Sequence, residues 1–374
     1  MLRKDTIEYK LVSLIGLAGE LQTEQLYKLK YSNEYIRKTV SALITNGCIK
    51  VHKFDNKKCL RLTSKCKHFL LKHYPERFEA MFTGFNRTNK IRSEENRRIR
   101  YHKLAELLIL FDVAGVKIFA DEKSLMDKVV NGERVGDKVL ADYCADENAA
   151  EFYTSDELKS SGLFKNARTS RAMGIIYSYP DVYVVYNFMD EFSNMEYKTE
   201  YSFFFDAGYI FKHKLRGAHD KNAKMIFIGN NMRLLPNILK AKRYSNKKVL
   251  NMGAEVDSIF FLDKSIHAHE QLKYAINTEK QNEIRSFIYG EFGATVKMRY
   301  FALTSDRKTL VMDCTNCNPA AIKSIKTPGL DSKNIKILCF DFQLPYIQKY
   351  IGKGDNVDYY TYNLSLISET EDTR

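Results

Sequence analysis

The chain has 374 residues, 44% of them hydrophobic, and 59 Lys/Arg against 46 Asp/Glu give it a formal charge of +13. That length suffices for two or three domains with cores of their own, so the fold needs neither a disulfide framework nor a structural metal. Seven scattered cysteines and no run of the roughly 18 apolar residues of a membrane span exclude a disulfide-rich secreted domain and a helical membrane protein, and predict a soluble, cytoplasmic one.

The elements begin with an amphipathic helix through Ile7, Leu11, Leu14 and Ile15 that stops at Gly19. Thr23 is placed to cap a short second helix carrying Leu26 and Leu29. Ser32 caps a third, SNEYIRKTVSALITNG, with Ile36, Val40, Leu43 and Ile44 inward and Gly47 as its stop. Two strand-like runs follow, CIKVHKF and KCLRLT, joined by a turn at Asp55-Asn56-Lys57, and Ser64 opens another helix. Three helices, a hairpin and a helix are the order of a winged helix-turn-helix, whose third helix enters the major groove. The outward residues of that helix include Asn33, Arg37, Lys38 and Ser41, while Lys53, Lys57, Lys58 and Arg61 put positive charge on the hairpin.

Charge supports that expectation. Residues 1–105 hold 23 basic against 10 acidic side chains, whereas residues 106–374 hold 36 of each. Such segregation suits a module that neutralises phosphates, and double-stranded DNA is the expected partner. A second basic tract, residues 86–115, starts a long helix with Arg92, Arg97, Arg98, Arg100 and Lys103 and gives it an apolar side through Ile99, Leu104, Leu107, Leu108 and Phe111. It reads either as a connecting helix with a solvated face or as an extension of the DNA footprint.

From residue 124 to 170 the chain is polar, with a short helix begun by Ser155 and no internal repeat. Beyond it, MGIIYS, DVYVVYN and NMEYKTEYSFF read as neighbouring strands, followed by KMIFIGN, DSIFFL and IKILCFDF alternating with helical spans. The expected fold class is therefore α/β, α+β overall, with a mixed sheet. The expected divisions are residues 1–85 for the basic module, 86–170 for the connection and 171–374 for the mixed domain. No Gly-rich phosphate loop follows any strand.

Pro180-Asp181, with Glu196-Tyr197-Lys198 following, spells the PD…(D/E)xK signature of metal-dependent nucleases. Carboxylates of Asp181 and Glu196 on adjacent strands would hold Mg²⁺, and Lys198 would orient the attacking water. After Pro-Asp, an acidic-x-Lys triplet within the next ten to twenty positions arises by chance in roughly one case in eight, so ion pairing of Glu196 and Lys198 on a half-exposed strand is the favoured account of the string. Cys314 and Cys317 form a lone CxxC; with His267 and His269 they would complete a zinc set, but the spacing fits no standard finger.

Several blocks, LRLTSKCKHFLLKHYPERF, NKIRSEENRRIRYHKLAELLILFDVAGV, FYTSDELK, SRAMGIIYS, YVVYN, MEYKTE and MIFIGNNM, resemble the replication-relaxation-like proteins of conjugative and integrative elements of Gram-positive bacteria. The resemblance runs over roughly residues 10–240, with CFDFQLPYIQKYIG as a later echo. It implies a winged helix for DNA binding and a restriction-endonuclease-like C-terminal half, in proteins associated with plasmid replication or the relaxosome. Pro180, Asp181 and Glu196 would fall on the nuclease-like positions, whereas Lys198 stands where the family pattern has an acid. The leading expectation is a non-catalytic, sequence-specific DNA-binding accessory protein without a cofactor, contacting replication or relaxosome proteins or dimerising through its neutral half. A Mg²⁺-dependent endonuclease and a transcriptional regulator with a C-terminal sensing or dimerisation domain are the alternatives.

Overall fold

A computed structural model describes residues 2–83, 91–125, 135–144, 149–160, 164, 170–192, 195–214, 223–240, 250, 256, 258–325, 333–352 and 354–364. They form a mixed α/β protein whose chain divides into two units, residues 1–163 and 164–374.

In the first unit, α1 (Ile7–Ala18) starts where the Thr6 hydroxyl accepts from the Tyr9 N–H, and ends at Gly19, whose φ of 86° few other residues adopt. A short β1 (Leu21–Gln22) and α2 (Thr23–Leu26) lead to α3 (Asn33–Thr45), then β2 (Ile49–Phe54) and β3 (Lys57–Leu62). The three strands form an antiparallel sheet in the order β1-β3-β2. Asp55 and Asn56 make the whole hairpin turn with φ of 46° and 58°, the left-handed pair that a two-residue turn demands. α4 (Ser64–His73) is capped by Thr63 rather than Ser64, and α5 (Pro75–Phe82) follows at once. α6 (Glu95–Val113) packs on α1, burying Leu104, Leu107, Leu108 and Phe111. The expected connecting helix is thus part of the first unit's core. α7 (Asp137–Cys144), β4 (Glu151–Thr154) and α8 (Ser155–Ser160) complete this unit.

The second unit opens with the antiparallel pair β5 (Gly174–Ser178) and β6 (Asp181–Met189). A helix, α9 (Tyr197–Lys214), leads to β7 (Lys224–Gly229), parallel to β6, and α10 (Leu234–Lys240) leads to β8 (Ile259–Asp263), parallel to β7. The span expected as NMEYKTEYSFF strand is therefore helical from Tyr197 onward. Its buried residues Glu200, Phe203, Phe204, Ala207 and Phe211 follow the helical period, whereas the aromatic content alone suggested a strand.

After α11 (Ala268–Ile276) and α12 (Thr278–Glu291), a second sheet holds β9 (Ala294–Lys297), β10 (Ala302–Thr304) and β11 (Thr309–Asp313). α13 (Pro319–Ser324), β12 (Asn334–Phe340), α14 (Leu344–Ile351) and β13 (Val357–Tyr362) follow. Its order is β13-β12-β11-β10-β9, antiparallel across β9, β10 and β11 and parallel from β11 to β13. The two sheets share a four-stranded part: an antiparallel hairpin, β5–β6 in one and β10–β11 in the other, continued by two parallel strands, each reached through a helix. The sequence shows no repeat because only the topology repeats. No helix among the described residues is long and apolar enough to cross a membrane.

Candidate nucleic-acid interface

The α3 helix divides as its sequence period requires. The Ser32 hydroxyl accepts from the Tyr35 N–H at 3.3 Å, and Ile36, Thr39, Val40 and Leu43 are buried. Asn33, Arg37, Lys38 and Ser41 face solvent, and Lys38 makes a 2.8 Å ion pair with Glu34 one turn back, a contact worth only a few tenths of a kcal/mol. Ile44, expected inward, is exposed. Tyr27, Tyr31 and Tyr35, absent from the expected DNA contacts, are exposed between α2 and the first turn of α3, and the last two rings meet edge to face at 6.3 Å. Their interleaving with Lys28 and Lys30 was the available signal.

Lys53, Lys57 and Lys58 are exposed at the hairpin tip, and none forms an ion pair with an acid among the described residues. Lys53 and Lys58 stand directly opposite each other in the β2–β3 register. Like charges so placed repel, which weakens the hairpin unless an anion lies against it.

Arg61 and Arg98 do something else. Both are over nine-tenths buried and both grip Glu20, itself fully buried at the end of α1. Arg61 Nε donates to Glu20 Oε2, Arg98 Nε donates to Glu20 Oε1 at 2.8 Å, and His102 Nε2 reaches the same Oε1 at 2.7 Å. The Gln22 side-chain amide lies 3.1 Å from His102 Nδ1 and Gln25 donates to the His102 carbonyl at 3.0 Å. Burial works against a charged Glu20, but the hydrogen bonds from His102 and Arg98 and the Arg61 charge outweigh it and hold the carboxyl at about 2. These two arginines are withdrawn from the expected DNA contacts: a buried acid, invisible to charge counting, needed them as partners. Arg97 remains exposed and pairs with Glu94 at 2.7 Å. Arg100 is half-buried and donates to the Ser155 hydroxyl at 3.2 Å.

One carboxylate oxygen of Glu20, the Cys59 thiol and a His102 nitrogen lie within 4.8 Å of one another, a spacing that could suit a metal. The chemistry does not fit a cation. Both Glu20 oxygens are already engaged by two guanidiniums and an imidazole, and burial, reinforced by the Glu20 charge, pushes the Cys59 thiol up to about 11. Cys314 and Cys317 are buried with their thiols raised by burial, and they join no group of three metal-ligating side chains among the described residues. His267 stacks on Phe342 at 5.3 Å.

The nuclease-like string is taken apart by the fold. Asp181 begins β6, buried, where Lys224 Nζ donates to Oδ2 at 2.7 Å and the Thr278 hydroxyl donates to the same oxygen. Glu196 immediately precedes α9, and Lys198 is exposed in its first turn. α9 runs antiparallel to β6. Near its start Glu200 accepts from Tyr186 at 3.0 Å, and toward its end Phe211 stacks on Tyr177, which pairs with Val182 in the β5–β6 register. Asp181 and Glu196 consequently lie toward opposite ends of a strand about 26 Å long, too far apart to share one Mg²⁺. The expected pairing of adjacent strands failed because the second strand is a helix.

No family model matches the chain, and neither does any curated protein or solved structure.

Proposed function

We propose that the first unit carries a winged helix-turn-helix and that the protein is a sequence-specific, double-stranded DNA-binding accessory protein. In this reading α2 and α3 are the helix-turn-helix, with Asn33, Arg37, Lys38 and Ser41 directed at the groove, and the β2–β3 hairpin is the wing. The observation that carries it is the tip of that hairpin, where Lys53 opposes Lys58 and Lys57 adjoins them without an acidic partner among the described residues. A ligand with closely spaced negative charges relieves this repulsion, and the phosphate backbone of DNA supplies it. The order of the elements, the β1-β3-β2 sheet and the concentration of basic residues before residue 106 lend further support.

The mobile-element role, in plasmid replication or relaxosome assembly in the cytoplasm, rests on the resemblant blocks. The paired sheets of the second unit, each a hairpin continued by parallel strands, are compatible with a nuclease-like scaffold. With Asp181 engaged by Lys224, that scaffold serves contacts with protein partners or a second copy rather than cleavage. Footprinting on DNA of such an element, with Mg²⁺ present, tests the proposal. The expected result is one protected site over an origin of transfer or replication and no cutting. Protection confined to a promoter favours a transcriptional regulator, and Mg²⁺-dependent cleavage overturns the accessory role.

A further inference from the structure

Only part of the hairpin is covered by the rest of its sheet. β1 pairs with β3 at Leu60 and Cys59 alone, so residues 53–58 project beyond the third strand as a two-stranded tip. A two-stranded ribbon is marginal by itself, and this one carries opposed lysines. Two contacts from outside the hairpin reach its backbone here. The Thr23 hydroxyl donates to the Lys58 carbonyl at 3.1 Å, and Arg98 Nη1 donates to the Lys53 carbonyl at 3.0 Å. The Arg98 guanidinium also lies 4.4 Å over the Phe54 ring, which meets His102 edge-on at 5.5 Å. Nε of the same guanidinium is fixed on Glu20, while Nη2 is buried without a hydrogen-bond partner among the described residues. One planar side chain thus ties the two residues before the turn to the buried carboxylate at the end of α1.

We propose that Arg98 is a positioning residue for DNA binding: it touches no phosphate and acts through the wing by fixing the tip that presents Lys53, Lys57 and Lys58. This rests on the reading of the hairpin as a DNA contact. The planar fork suits this role: its in-plane N–H groups diverge toward Glu20 and the Lys53 carbonyl while its face lies on Phe54, whereas an ammonium is a compact point charge with no face to stack.

The test is a double-mutant cycle on the full chain, reading DNA affinity across a salt series. Arg98→Lys keeps the charge and loses the fork. The expected loss is on the order of tenfold, with the slope of log K against log salt shallower by about 1 to 3, since each phosphate contact contributes about 0.9. In a background already lacking the tip charges (Lys53→Ala, Lys57→Ala, Lys58→Ala), Arg98→Lys has no further effect. Wild-type affinity in Arg98→Lys overturns the proposal, and so does an equal further loss in the triple background. Phe54→Leu, which removes the stacking surface and leaves the Glu20 ion pairs intact, should show the same non-additivity and guards against a general folding defect. Amide exchange at residues 53–58 separates the two layers of inference. Absence of salt-dependent binding by the wild type removes the DNA reading, whereas unchanged tip exchange in Arg98→Lys removes the positioning role.

Discussion

Glu20 is one acid in a basic region, and it decides what two nearby arginines do. An ordinary carboxyl of this type titrates near 4.5, and this one is held at about 2 by His102, Arg98 and Arg61 against the opposing effect of burial. Its folded value is depressed, so its contribution to stability is present above pH about 4.5 and lost as pH falls toward 2. The shift corresponds to roughly 3 kcal/mol. Urea unfolding of the wild type should show that loss across the window. Glu20→Gln should be weaker by about 3–5 kcal/mol at pH 7, because two guanidiniums lose their counter-charge in the interior, and should lack this part of the acid-dependent loss. A wild-type profile no steeper there than the variant's would contradict the assignment. The residues themselves were visible from the start, but Arg61 and Arg98 read as phosphate contacts because a linear charge count does not separate a buried guanidinium from a solvated one.

At the scale of elements, the first unit was legible where capping, period and turn chemistry agree. Ser32, the Ile36–Val40–Leu43 stripe and the Asp55-Asn56 turn mark α3 and the hairpin in the sequence, and the structure places them there. The second unit was harder. α9 is rich in Tyr and Phe, which suit a strand, and the spacing of its buried face gives the helix away. The strands β9, β10, β11 and β13 lie outside the predicted runs: the first three have four, three and five residues, and β13, although six residues long, shows no regular alternation. Gly229, at the end of β7, is a tight point of this unit. A Cβ there would lie 2.5 Å from Leu234 Cδ1 and 3.1 Å from Phe261 Cζ. Leu234 can swing away, but the Phe261 ring is fully buried, so Gly229→Ala should cost about 1–3 kcal/mol and lower the thermal midpoint. An unchanged midpoint would mean that β7 and β8 are less closely packed than the structure places them.

For the molecule as a whole, the division of charge is the organising fact. The positive excess lies before residue 106, while the rest of the chain is balanced. Under the proposed function, that arrangement assigns DNA affinity to the first unit and protein contacts to the second. The nuclease-like string is better understood through its separate members: Asp181 closes a buried pair with Lys224, and Glu196 and Lys198 belong to the start of a helix. The most direct measurement is a gel shift of the full chain on double-stranded DNA across a salt series, with Arg37→Ala plus Lys38→Ala beside the wild type. The expected result is binding that weakens steeply with salt, and a double variant that binds at least tenfold more weakly with a slope shallower by about 1 to 2. Affinity that ignores salt, or is unchanged by removing both side chains, would contradict DNA recognition through α3.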